Sequence, residues 1–471
     1  MTAVDAMTSA PENGVVVRAP LRARVSWMLF DWAAQPYYTL VQTFLFAPYF
    51  ANMVANSPTH GQTMWGYAAA IAGLMIAIIS PFLGAVADGH GRRKLWMLIL
   101  SLVFLTGLCT LWLAVPGASS STIFAVLTGF VLATIAAELM TVFSNAIMTG
   151  LAPKDELGRL SGTGWAVGYF GGLASLALVA GLLVPLPGQS QTLLGLTPLL
   201  TLDAASHQGD RLTGPFAAAW FVIFILPFFL FVPDRRATKA PMHTERSPTA
   251  ELWDTIKSLP ALPSLMIFLI ARMLYTDGLT AIFTFGGIYG ASVFNWGPTE
   301  LGIFGIVLTL VGAIGALIGG RLDDKLGAKT VIIGSLVILL VAATGILSVD
   351  KTHVLYSVAV PEKLAGSAPF SSTGERVFLA FAIIVGLVAA PVQAASRSLL
   401  ARIAPADKIT QFFGLFAFSG KVTAFLAPFL VAFVTQVSDS QRIGMSAVLA
   451  FLIVGGLMML FVRVKPAPSA T

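Results

Sequence analysis

Apolar runs of about 20 residues recur along the whole chain, and a run of that length is what a helix needs to cross roughly 30 Å of hydrocarbon. In lipid every backbone N–H and C=O must be satisfied internally, so only helices and closed barrels can span. A barrel would show short alternating segments instead. The chain is 56% hydrophobic and 11% charged, far below the roughly 25% charged residues of an ordinary soluble domain. The sequence therefore predicts an all-α polytopic membrane protein.

Twelve spans are expected. Six lie near 25–55, 63–87, 95–114, 121–149, 160–186 and 214–233. Six more lie near 262–293, 299–320, 330–349, 377–402, 412–435 and 443–463. This divides the chain into a tail (1–24), a first six-helix bundle (25–233), a linker (234–261) made polar by Asp234 to Lys257 and broken by Pro241 and Pro248, a second bundle (262–463) and a short tail (464–471). No A-x-A cleavage site follows Arg18, Arg22 and Arg24, so the first tail reads as retained rather than as a signal peptide.

Charge placement sets the orientation. With both termini inside, 21 Lys/Arg fall on the cytoplasmic side, Arg397 and Arg402 at the inner end of span 10 among them. Outside loops hold 5, and Arg272 and Lys421 lie deep in spans. That asymmetry is the positive-inside pattern. The net charge of +6 is thus a topology signal, with anionic lipid as its partner and no nucleic acid called for. The short tails favour a bacterial inner membrane.

The two halves repeat. Gly84-Ala-Val-Ala-Asp88-Gly-His-Gly91-Arg92-Arg93 lies between spans 2 and 3, and Gly320-Arg-Leu-Asp-Asp324-Lys-Leu-Gly327-Ala-Lys329 lies at equivalent spacing between spans 8 and 9. Ala152-Pro153-Lys-Asp155 recurs as Ala404-Pro405-Ala-Asp407, with Gly162 and Gly168 matching Gly414 and Gly420 in register. Duplicated halves of this kind bind a solute between them near the midplane.

Gly84-x-x-x-Asp88-x-x-Gly91-Arg92-Arg93 resembles the loop signature of the major facilitator superfamily, with Gly89 where that family usually carries a base. Phe30-Asp31-Trp32-Ala33, Gly164-Trp165-Ala166, Ala271-Arg272-Met-Leu-Tyr275-Thr-Asp277-Gly278, Phe285-Gly286-Gly287-Ile288-Tyr289 and Gly420-Lys421-x-Thr423-Ala424-Phe425 resemble one branch, the autophagy-linked vacuolar amino-acid effluxers and their bacterial relatives. The resemblance implies two pseudo-symmetric six-helix bundles (the major facilitator fold), alternating access, a cavity lined by spans 1, 4, 7 and 10, and amino acids as cargo. Asp88 can face the positive end of a neighbouring helix, making the loop a conformational latch. The plainer alternative is a tight turn carrying inside-positive charge.

A charge at the bilayer centre costs about 2.5–3.5 kcal/mol on insertion scales, so Asp31, Glu138, Arg272, Asp277 and Lys421 each call for a reason. Asp31, Gln35, Tyr38, Gln42 and Tyr49 form one stripe on span 1 at helical spacing. Span 4 repeats it with Thr134, Glu138, Thr141, Asn145 and Thr149, span 7 with Asp277, Thr280 and Thr284, and span 10 with Gln393, Ser396 and Arg397 beside Pro391. A shared wet path explains such stripes, and so does interhelical hydrogen bonding. Three carboxylates against two cations leave one carboxylate to take up a proton, Asp277 or Glu138 before Asp31. Closed salt bridges are the rival, should Arg397 be buried. Gly164, Gly168 and Gly172 form a small-residue ridge for close helix approach. That ridge resembles the glycine-rich fifth span of antiporters, without its proline.

Catalysis finds no support. Gly414 to Val422 fails as a phosphate loop, having one residue too many and no Ser/Thr after Lys421. The five histidines lack metal spacing, Cys109 alone can form neither a disulfide nor a cysteine cluster, and no cofactor is implied. The expectation is a proton-coupled permease for a small polar solute. An exporter of amphiphiles and a non-transporting sensor remain as alternatives.

Overall fold

The computed structural model describes residues 18–464 apart from 56, 91, 186–190, 193, 204, 235–247 and 364–366. Residues 1–17, Gly91, residues 235–247 of the linker and 465–471 therefore lie outside the described residues.

Ten described helices are long and apolar enough to cross a membrane. Spans 2 to 6 contain Pro58–His90, Arg93–Thr110, Ser120–Met148, Leu157–Leu178 and Gln208–Phe231. Spans 7 to 10 are Pro263–Phe294, Pro298–Leu326, Ala328–Leu347 and Thr373–Ile403, and span 12 is Gln441–Leu460. Polar residues mark several starts. Ser119 accepts the Thr122 amide, Ser440 accepts that of Ile443, and Ser372 with Glu375 forms a reciprocal capping box.

The other two expected spans are interrupted. Span 1 is α-helical over Leu21–Pro36, then turns π-helical over Tyr37–Phe44 and again over Phe50–Val54. Its ladder lengthens just past Pro36, with Leu45 N donating to Leu40 O at 3.0 Å. Span 11 is split into Ile409–Ser419 and Leu426–Ser438 by turns over Gly420–Phe425. An unbroken helix would bring Gly420 N to Phe416 O. That carbonyl instead accepts Arg272 Nη1 at 2.6 Å, and Gly420 N turns to Ala417 O. A side chain inserted into the ladder is a recognised cause of such a break. Hydropathy registers apolar length and not hydrogen-bond register, so it signals neither interruption.

Two further departures are smaller. The described part of the linker is not polar coil but a helix, Pro248–Ser258, whose Thr255 is fully buried. The loop before span 10 carries a two-residue antiparallel hairpin, His353–Val354 with Val358–Ala359.

Packing is two-fold. In the first half span 1 packs on spans 5 and 6, span 2 on span 4, and span 3 on span 4. In the second half span 7 packs on span 12, span 8 on span 10, and span 9 on span 10. The halves meet where span 2 lies against span 11 and span 5 against span 8. Glycines make both meetings possible. A Cβ on Gly162 would stand 2.4 Å from Ala316 O, and one on Gly414 would stand 2.3 Å from Ser80 O. Gly84 lies equally close to Thr410, and Gly320 to Gly158. The pairs Gly84 with Gly320 and Gly162 with Gly414, matched by sequence, thus occupy equivalent places at the interface.

Candidate functional site

The signature loops close one end of the molecule. Asp88 accepts the Gln411 amide at 2.8 Å, at the start of span 11, and pairs with Arg93 at 2.9 Å. Arg93 Nε also donates to Thr410 Oγ1 at 2.8 Å. In the other half Asp324 accepts the amides of Gly158 and Arg159, at 2.8 and 3.0 Å, at the start of span 5. Each aspartate therefore sits on the positive end of a helix in the opposite bundle, where unsatisfied amides and the helix dipole both favour a carboxylate. Asp323 binds Ser398 and Arg402 beneath it.

The repeat is imperfect at its end. Lys329 Nζ donates to Leu460 O at 2.8 Å, the last turn of span 12. The residue doing the same for span 6 is Lys94, on Phe229 O and Val232 O, not Arg93, which spacing had paired with Lys329. Arg92 is exposed, and Gly327 takes a positive φ of 84°. Gly91 is outside the described residues.

Above that seal lies a seam of charge. Lys421, on the broken stretch of span 11, donates to Glu138 of span 4 at 3.0 Å, an ion pair that crosses from one bundle to the other. It is partly open, with side-chain exposures of 32% and 23%. Tyr38 lies beside Glu138 and Thr141. Gln42 donates to Tyr37 at 3.0 Å, and Tyr37 bonds Thr134. The lengthened turn after Pro36 moves the outer part of the expected stripe: Tyr49 faces inward and donates to Ala114 O, and Tyr37 is buried.

Arg397 corrects the charge count. Placed by sequence at the cytoplasmic edge, it is 4% exposed and reaches into the opposite bundle. Its Nε and Nη2 donate to Ser161 Oγ and Ser161 O at 2.8 and 2.7 Å, and its Nη1 to Asn145 at 3.2 Å. Asp31 lies 3.6 Å away, and the Trp27 ring centre 5.1 Å. Gly164 and Gly168 let Asp31 approach, since a Cβ on Gly164 would stand 2.9 Å from Asp31 Oδ2. Gly168 and Gly172 also face Gln35, so the expected ridge is the seat of span 1.

In the second bundle Arg272 occupies the matching place, over Gly420 and 3.4 Å above the Phe416 ring. It bonds Phe416 O and Ser419 Oγ rather than an acid. Asp277 is 1% exposed, and neither of its oxygens has a hydrogen-bond partner among the described residues. Buried Thr423 Oγ1, close enough to act on it, is equally unsatisfied. The count is thus three carboxylates and three cations, in two pairs with Arg272 and Asp277 left over. Gln393 is half-buried, whereas Thr284 is exposed, apart from the seam contacts. Among the described residues no cluster of ligands suits a metal.

This architecture has known counterparts. The transporter FucP, solved in the outward conformation, superimposes with a TM-score of 0.68 over 94% of this chain and 99% of that one at 14% identity. Fold and paired loops define a major facilitator superfamily transporter, an integral membrane protein. Residues 154–469 match the family described as vacuole effluxer Atg22 like, and the chain belongs to that family. An uncharacterised MFS-type transporter of Bacillus subtilis, YxiO, is 24% identical over 93% of this chain and 94% of its own length. Autophagy-related protein 22 of Cryptococcus neoformans is 27% identical over 63% of this chain. The chain matches only 51% of that fungal protein's length.

Proposed function

We propose that the protein is a proton-coupled secondary transporter that moves a small zwitterion, amino acids first, by alternating access across a bacterial inner membrane with both termini cytoplasmic. The observation that carries the reading is the Glu138–Lys421 pair. Two opposite charges from opposite bundles meet while each stays partly exposed. A solute bearing an ammonium and a carboxylate satisfies both when it parts them, and so exchanges one set of ion pairs for another. An amphiphile would need an apolar seam, yet the groups present are Asp31, Gln35, Glu138, Gln393 and Lys421.

The pairs at Asp88, Asp324 and Arg397 all bridge the bundles on the signature side, so that side opens only when they break. Their loss together is the inward half of the cycle. Asp277 is the group we assign to the proton. Protonating Asp31 or Glu138 strands a cation, whereas Asp277 has no partner to release. The Thr423 hydroxyl beside it can donate to the carboxylate or accept from the carboxylic acid, so it partners either form.

Amino-acid uptake into proteoliposomes under an imposed pH gradient tests this. The wild type should accumulate substrate. Asp277→Asn should keep solute exchange at zero gradient and lose accumulation. Gradient-driven accumulation that survives in Asp277→Asn rejects the proton assignment. Failure of every zwitterion to exchange rejects the cargo class.

A further inference from the structure

At the end of the first bundle opposite the signature loops, an open cavity of about 490 Å³ is lined by Trp112, Leu113, Val115, Ser121, Thr122, Ala125 and Arg211. Arg211 is 7% exposed, and its charge has no described acid to answer it. Its Nε donates to Trp112 O at 2.8 Å and its Nη1 to Ser206 O at 3.2 Å. The guanidinium lies 4.6 Å above the Trp112 ring centre. The adjacent Asp210 is taken by His207 at 3.1 Å. A buried guanidinium held only by carbonyls and a ring lacks a counter-ion.

The rest of the lining suits an anion with a tail. The hydroxyls of Ser121 and Thr122, gathered by Ser119 at 2.9 and 3.0 Å, stand on the first turn of span 4. Leu113, Val115 and Ala125 supply an apolar wall. Leu113 and Phe124 stand 47% and 73% exposed on the flank of the bundle, where the only apolar solvent is acyl chain. Trp112 at a span end is the residue type enriched at headgroup depth. We propose that this cavity binds the phosphodiester of an anionic phospholipid, with Arg211 and the two hydroxyls on the phosphate and the acyl chains along Leu113 and Phe124. Guanidinium and phosphate match in geometry as well as charge.

The test uses the full-length protein, delipidated in detergent, read by native mass spectrometry and thermal unfolding. Phosphatidylglycerol, a diacylglycerol without phosphate, and glycerol phosphate without chains are the probes. Only phosphatidylglycerol should be retained and raise the unfolding temperature. Thr122→Asp places a carboxylate on the helix's first turn, where it also suits the dipole, so the variant folds. It should weaken phosphatidylglycerol retention roughly tenfold, the scale of one charge-assisted hydrogen bond. Arg211→Lys should weaken it as well, because the fork is lost. Equal stabilisation by diacylglycerol or by glycerol phosphate overturns the proposal, and so does unchanged retention in Thr122→Asp.

Discussion

Glu138 and Lys421 are each other's counter-charge across a boundary that has to open, so each is stable only in company. Glu138→Gln leaves Lys421 alone in a half-open seam, which costs on the order of 1 kcal/mol, between the values for exposed and buried pairs. We expect a lower unfolding temperature for that variant and for Lys421→Ala. The swap Glu138→Lys with Lys421→Glu should recover the stability and leave zwitterion transport impaired, since solute polarity across the seam is reversed. A swap that stays as unstable as the single variants would show that the two side chains do not pair. Arg397 makes a second case. Its guanidinium serves Ser161, Asn145 and Asp31 at once, a fan that an ammonium cannot reproduce. Arg397→Lys should abolish transport while membrane insertion, read by yield of monodisperse protein, persists. Sequence placed this residue near the cytoplasm because a charge close to a span end reads as topology. The signal that could have corrected it was its position beside Gln393 and Ser396 on the polar stripe of span 10. Asp31, Glu138, Arg272, Asp277 and Lys421 were legible because isolated charges in apolar runs stand out. Their partners were not, because pairing is decided across helices far apart in the chain.

At the scale of elements, the glycines and the breaks do different work. Gly162 and Gly414 bring backbones into contact between bundles, and a side chain at either would displace a carbonyl about 2.4 and 2.3 Å away. Gly162→Ala and Gly414→Ala should hold the signature side ajar. Cysteines placed at the signature-loop ends of spans 5 and 11 should react faster with a water-soluble maleimide in either variant, and unchanged reactivity would refute the packing argument. Their register was readable from the internal repeat. The break in span 11 was not, although Gly420 marked the spot, because its cause is Arg272 arriving from another helix. The lengthened turns of span 1 were equally hidden. Pro36 stands where the ladder changes but does not give the direction of the shift, which turns Tyr49 to Ala114 O. The linker helix escaped because its apolar content is slight and its hold is tertiary, packing on span 2 with buried Thr255 donating to Gln411.

For the whole molecule, the two capping aspartates are one device used twice. Replacing a charged helix cap costs about 1 kcal/mol, and the two sites share no partner. Asp88→Asn with Asp324→Asn should therefore shift the balance toward the inward-open form by roughly thirtyfold, the equivalent of about 2 kcal/mol. Distances measured between spin labels on the signature-loop ends of spans 2 and 11 would report it, and a distribution unchanged in the double variant would remove the latch from the mechanism. The two-fold plan, the paired loops and the family itself were visible in the chain because duplication leaves its mark in spacing. The helix caps at Asp88 and Asp324 are made of backbone amides and fixed carboxylates, and neither cap shares a group with Glu138, Lys421 or Gln393. Chassis and cargo are thus separable: relatives are free to trade Glu138, Lys421 or Gln393 for new chemistry without retuning how the doors shut, and an engineer grafting a different seam onto this frame should inherit its motion intact.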